Sequence, residues 1–220
     1  MSSFVLKIIA VISMVIDHSG YVLFNSFSFM NYIGRLAFPI FAFLITEGYI
    51  HTRNLKRYFS RLLIFAFISQ IPYLLYISNF TTRFTLNILF TLSLGLLAIT
   101  VYDKLKNKLL GLLFVGICGI LSQLLHFDYG WFGIAIISIF YIFKGKKIYM
   151  NLFFCLATII NYLYSYITSY RIENLFIILF CSMSLLAINL YNGKKGKNLK
   201  YFLYIFYPLH LILLYILTII

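Results

Sequence analysis

Residues 9–21 read I-A-V-I-S-M-V-I-D-H-S-G-Y, and how this stretch is understood decides the fold. Asp17 and His18 lie inside an apolar run in which Asp17 is the only charged residue between Lys7 and Arg35. A run of that length is enough to cross a hydrocarbon core of about 30 Å as a helix of roughly 20 residues. An ionisable pair is expensive there, so by default it marks a functional site.

The rest of the chain has the same character. Of its 220 residues, 63% are hydrophobic and only 10% charged. Leu, Ile and Phe run from end to end with no polar block able to fold in water, which points to one integral domain over 1–220. The first apolar segment lacks a basic leader and a small-residue cleavage site, so it is expected to stay as a helix. Cys118, Cys155 and Cys181 stand singly in apolar runs and match neither a zinc site nor a disulfide framework, so they read as packing residues, with no metal expected. A net charge of +13 would point to nucleic acid in a soluble protein. Here the basic residues fall in short connections, where membrane orientation and anionic lipid account for them, and no nucleic-acid partner is expected.

Hydropathy with polar breaks predicts an all-α, polytopic membrane bundle of about nine spans. They fall near 4–24, 32–50, 58–78, 85–102, 109–125, 131–143, 148–168, 174–191 and 201–220, the sixth being the weakest. Basic clusters follow the second span (Arg53, Lys56, Arg57, Arg61), the fourth (Lys104, Lys106, Lys108), the sixth (Lys144, Lys146, Lys147) and the eighth (Lys194, Lys195, Lys197, Lys200). The other connections carry only Arg83 and Arg171. This alternation predicts an amino terminus inside and a carboxyl terminus outside. It also supports the span count, because one helix more or fewer would scatter the lysines over both faces.

With a rise of about 1.5 Å per residue, Asp17 and His18 belong in the outer half of the membrane. Arg35, near the outer start of the second span, reaches a similar depth and is the natural partner of Asp17. Snorkelling of Arg35 to head groups is the plainer alternative. Glu47 lies twelve residues further on, about 18 Å along the same helix. It therefore approaches the opposite face beside His51 and Arg53, where an interfacial ion pair would account for it. Gln70 and Asn87 bring hydrogen-bonding groups to the outer half, and Pro39 and Pro72 free backbone groups that need partners. His126, Asp128 and Tyr129 form a short outer connection whose ordinary reading is an aromatic-belt loop. His210 falls near the middle of the last helix, just after Pro208. There is no phosphate-binding Gly loop, G-x-S-x-G elbow or H-E-x-x-H. The remaining polar constellation suits general acid–base work or proton movement.

The segments L-K-I-I-A-V-I-S-M-V-I-D-H-S-G, I-G-R-L-A-F-P-I-F-A-F-L-I-T-E-G, S-Q-I-P, N-I-L-F-T-L-S-L-G, F-D-Y-G-W-F-G and F-Y-P-L-H occur in that order. Together they resemble the TraX family, named for the protein that acetylates the amino terminus of F pilin, and the resemblance covers nearly the whole chain. The family's D-H, G-R, E-G, D-Y-G and Y-P-x-H positions fall on Asp17, His18, Arg35, Glu47, Asp128, Tyr129 and His210. Where the family commonly has S-E-I-P, this chain has Gln70, so no carboxylate acts at that point.

The resemblance implies a multi-pass protein of the bacterial inner membrane that passes acetyl from cytoplasmic acetyl-CoA to an amine or hydroxyl acceptor, a pilin amino terminus or another envelope component. On that reading Asp17, His18 and His210 are the catalytic candidates. His18, oriented by Asp17, is a general base or an acyl carrier, two roles the residues do not separate. Arg35, Glu47, Asn87, Asp128 and Tyr129 are expected to bind substrate. The reading also requires the first and last helices to be neighbours around a polar cavity that opens among the basic connections. The alternative is a proton-coupled transporter, against which stands the lack of an inverted repeat.

Overall fold

The computed structural model describes residues 1–24, 27–170, 172–197 and 199–219. Arg171, expected in an outer connection, lies outside the described residues. The chain is all-helical: α1 (Ser3–Phe24), α2 (Phe29–Gly34), α3 (Ala37–His51), α4 (Leu55–Ile77), α5 (Ile88–Lys104), α6 (Lys108–Leu124), α7 (Gly130–Ile142), α8 (Lys147–Ser169), α9 (Glu173–Asn189) and α10 (Lys200–Ile219). The described residues hold no strand, only an isolated bridge between Leu86 and Phe127. Three helices start where an asparagine meets the apolar pattern. Asn54, Asn87 and Asn107 each accept a backbone N–H of the first turn, of Arg57, Leu89 and Leu109 respectively, which satisfies donors the helix cannot.

Each expected span has a helical counterpart, with one correction. The span placed at 32–50 begins earlier and is broken, α2 running into α3 through a turn at Arg35 and Leu36. Pro39 supplies the cause. It has no N–H to give to the Arg35 carbonyl, and its ring crowds that carbonyl, so it fits only the first turn of a new helix. Taken together, Phe29–His51 is, among the described residues, one of five segments long and apolar enough to cross a membrane, with Ser3–Phe24, Leu55–Ile77, Lys147–Ile167 and Tyr201–Ile219. Outward-facing Ile71, Leu124, Ile148, Leu186 and Leu213 are all exposed, as a lipid-facing surface requires.

Helix α3 is the hub, packed against α1, α5, α7 and α9. It buries Phe38, Ile40, Ala42, Phe43 and Ile45. Helix α7 is also interior, with Phe132, Ile134, Ile136, Ile137 and Phe140 almost fully covered. At 13 residues it is too short for a lipid-exposed span, but α3, α5, α6 and α8 surround it. Helix α10 closes the bundle by packing on α4 and on α1, which makes the first and last helices neighbours. The basic connections gather at one end. There Lys108 Nζ donates to the carbonyls of Tyr102 and Asp103, Lys147 Nζ donates to that of Asn189, and the Met1 amino group donates to that of Leu190.

Candidate functional site

A cavity of about 770 Å³ runs through the bundle between α1, α3, α4 and α10. Lys7, Glu47, His51, Arg61 and Lys195 line one end, that of the basic connections; Asp17, His18, Arg35, Tyr76, Asp128 and Tyr129 line the other. Lys7 and His18 are eleven residues apart on α1, so the two ends are separated by about 16 Å.

At the far end α1 meets the α2–α3 break. Arg35 Nη2 lies 3.5 Å from Asp17 Oδ1, with both side chains largely buried. The Asn31 amide donates to the same carboxylate oxygen at 3.0 Å and to the Asp17 backbone carbonyl at 2.8 Å. Asn31 is itself held by Ser28, whose backbone N–H (2.7 Å) and hydroxyl (3.0 Å) donate to its side-chain oxygen. Such an approach of the helices needs a residue without a side chain, and Gly34 supplies it, since a Cβ there would overlap the Asp17 carboxyl group. Arg35 Nη2 also donates to the Tyr21 hydroxyl at 3.4 Å, while its buried Nε has no partner among the described residues.

His18 turns the other way. Its Nδ1 lies 2.8 Å from Nε2 of His210, and the two rings are nearly parallel, 7° apart. The expectation that Asp17 orients His18 is therefore corrected: adjacent helical residues diverge by about 100°, so Asp17 serves Arg35 and His210 takes up the imidazole. His210 Nδ1 faces the Phe206 carbonyl at 3.0 Å, a group that only accepts. In neutral His210 the proton is then on Nδ1 and the lone pair on Nε2, so His18 must donate from Nδ1 and keep its own lone pair on Nε2. Tyr76 fixes the backbone beneath, its hydroxyl donating to the His18 carbonyl at 2.9 Å.

The connection between α6 and α7 folds back toward this point. His126 (φ 53°) and Tyr129 (φ 63°) are both left-handed, at a cost of roughly 1–2 kcal/mol each. Non-glycine strain of this kind concentrates at functional sites. The turn stacks Tyr129 on Phe38 with ring centres 3.9 Å apart, and Thr91 donates to the Asp128 carbonyl. Burial pushes the Asp128 carboxyl up to about 6, with Arg35 opposing the shift.

Glu47 lies where the helix spacing put it, at the basic end of the cavity and 3.5 Å from Nε2 of His51, so it is far from the Asp17 cluster. One expected substrate-binding residue lies outside the cavity. Asn87 is fully buried outside the cavity wall, its amide donating to the Ala66 carbonyl at 2.7 Å and to Gln70 at 2.8 Å while its oxygen caps α5. It ties α4 to α5 rather than facing a ligand. Asn31 and Tyr76 were not singled out from the sequence. The serine three residues before Asn31 is the capping pattern that marks a helix start inside the supposed loop.

A bundle of apolar helices whose inner cavity is lined at one end by carboxylates, an arginine and His18, with His210 packed behind His18, is that of an integral membrane protein with a buried polar cluster. The chain belongs to the TraX family, whose model, described as TraX protein, matches residues 2–218. It is 28% identical to the "Probable fimbrial assembly protein FimC, serogroup H1" of Dichelobacter nodosus, over 97% of this chain and 94% of that protein. It is also 30% identical to "Uncharacterized protein RP591" of Rickettsia prowazekii (strain Madrid E), over 67% of this chain and 58% of that protein. No solved structure matches it.

Proposed function

We propose that the protein is a membrane-bound acetyltransferase of the bacterial inner membrane, taking acetyl from acetyl-CoA at the basic end of the cavity and passing it to an amine or hydroxyl of a pilus or fimbrial component, or of another envelope acceptor. The observation that carries this reading is the His18–His210 pair beside a cavity that leads to the basic connections. His18 Nε2 takes the proton of the acceptor as its nitrogen or oxygen attacks the thioester carbonyl. The C–S bond breaks, and the departing thiolate recovers a proton from the imidazolium. The Arg35 guanidinium, which lines the same end of the cavity as His18, is a donor for the developing oxyanion. Asp128 and Tyr129, which line the far end of the cavity, are the residues this reading gives to the acceptor. The FimC relative named above favours a fimbrial acceptor.

Purified protein given radiolabelled acetyl-CoA and a crude envelope fraction should transfer label to an acceptor. Absence of transfer, with binding of the acceptor fraction intact, would remove the reading. A proton-coupled transporter would instead acidify or alkalinise vesicles without labelling anything.

The donor is cytoplasmic, so the basic end belongs on that side and the carboxyl terminus outside. With the native cysteines replaced, Lys56→Cys and Lys197→Cys should react with an impermeant maleimide only from the cytoplasmic face, and Thr82→Cys only from the other. Labelling in the reverse sense would invert the topology and leave the donor without access.

A further inference from the structure

The mouth of the cavity has a feature that acetyl transfer by itself does not call for. Arg61 on α4 is half-buried, its Nε is enclosed without a hydrogen-bond partner, and its guanidinium carbon sits 5.9 Å from the ring centre of Tyr58. The Tyr204 hydroxyl is its polar neighbour, and Tyr204 in turn stacks on Phe65 with ring centres 4.9 Å apart. Lys7 comes from α1, and Lys195 repels it from close by. The α9–α10 connection is strapped to the start of α1, the N–H of Ser3 donating to the Lys194 carbonyl at 2.8 Å and that of Phe4 to the Lys195 carbonyl at 3.1 Å. This strap holds two like charges at one opening. None of Lys7, Arg61 and Lys195 is in an ion pair among the described residues, and the carboxylate at this end, Glu47, is engaged by His51 and the Tyr191 hydroxyl.

Cations held together beside an apolar wall without counter-charge repel one another and lose hydration, and a bound anion relieves both costs. The guanidinium of Arg61, which lines the cavity with its Nε hydrogen-bonding capacity unused, is the planar group that grips a phosphate bidentately. We propose that Arg61, Lys7 and Lys195 form a phosphate-binding site at the cavity mouth, which holds the phosphorylated end of a soluble acyl-thioester donor while its slender arm reaches about 16 Å inward to His18. This rests on the acetyl-transfer reading for the identity of the donor. The phosphate chemistry itself is shared with a phospholipid headgroup.

The two sources separate in the full-length protein reconstituted in phosphatidylcholine nanodiscs. The probes are CoA, 3′,5′-ADP as the phosphorylated end alone, and pantetheine as the arm alone. CoA and 3′,5′-ADP should bind competitively and more weakly as salt rises. Arg61→Gln should weaken both by about tenfold or more, the loss of a charge-assisted pair of hydrogen bonds, and should leave pantetheine unchanged. Lys195→Gln, on an exposed connection where folding is not at stake, should weaken both by a smaller factor. An Arg61→Gln protein that binds CoA within twofold of wild type overturns the site. So does a site that ignores 3′,5′-ADP but responds to phosphatidylglycerol in the disc, which would assign the cations to lipid. Arg61-dependent CoA binding without acetyl transfer would keep the site and reject the enzyme. Transfer whose donor KM is indifferent to Arg61→Gln would do the opposite.

Discussion

Acetyl transfer by a His18→Ala protein is expected to fall by about 10²- to 10⁴-fold, the range that a positioned general base contributes. The protein should still insert and elute as a folded species. Among the described residues the imidazole makes one side-chain hydrogen bond, to His210, and Tyr76 holds the backbone carbonyl, which alanine keeps. His210 separates a base from an orienting group. If its task is to accept the proton of His18 Nδ1, then His210→Gln, whose side-chain carbonyl can do the same, should retain more activity than His210→Leu. Both should lie between wild type and His18→Ala. Initial rates at saturating donor decide the matter. A His18→Ala rate above half of wild type would make the pair a packing feature, and a trapped acetyl-protein at His18 would turn the base into an acyl carrier.

The fold was largely legible because its signals are long and redundant: apolar runs set the helices, and the lysine clusters set their alternation. What the runs could not convey was the break at Arg35, since hydropathy does not register a lost hydrogen bond. The proline four residues on was the local sign of it. The meeting of Asp17 with Arg35 followed from depth alone. That of His18 with His210 followed not from depth but from the requirement that the first and last helices be neighbours, which the packing of α10 on α1 meets across 192 residues of chain. Asn31 was missed for a related reason. A polar residue between two spans reads as loop, yet the helix starts before it and carries it to full burial. Asn87 misled in the opposite direction, its position at a helix start being already a sufficient account of an asparagine.

The second large effect concerns the Asp17–Arg35 pair, and its sign depends on which partner is removed. Truncating one member of a buried ion pair leaves the other without compensation and costs about 3–5 kcal/mol, whereas replacing both by neutral groups of similar size is often neutral. Asp17→Asn alone should therefore lower the unfolding midpoint in detergent and abolish transfer, since the buried Arg35 loses the charge that compensates it. It should be the milder of the two single changes, because the asparagine oxygen can still accept from Asn31 and from Arg35. Arg35→Met should be the more severe for stability, stranding Asp17 with only the Asn31 amide while Asp128 lines the same end of the cavity. The double change Asp17→Asn with Arg35→Met should recover most of the lost stability and none of the activity. Thermal unfolding of the purified variants, with transfer measured on the same preparations, gives the coupling between the two sites. If the double variant is as unstable as the sum of its parts, the pair does not interact in the folded protein. If it is both stable and active, the pair shapes the bundle and takes no part in the chemistry.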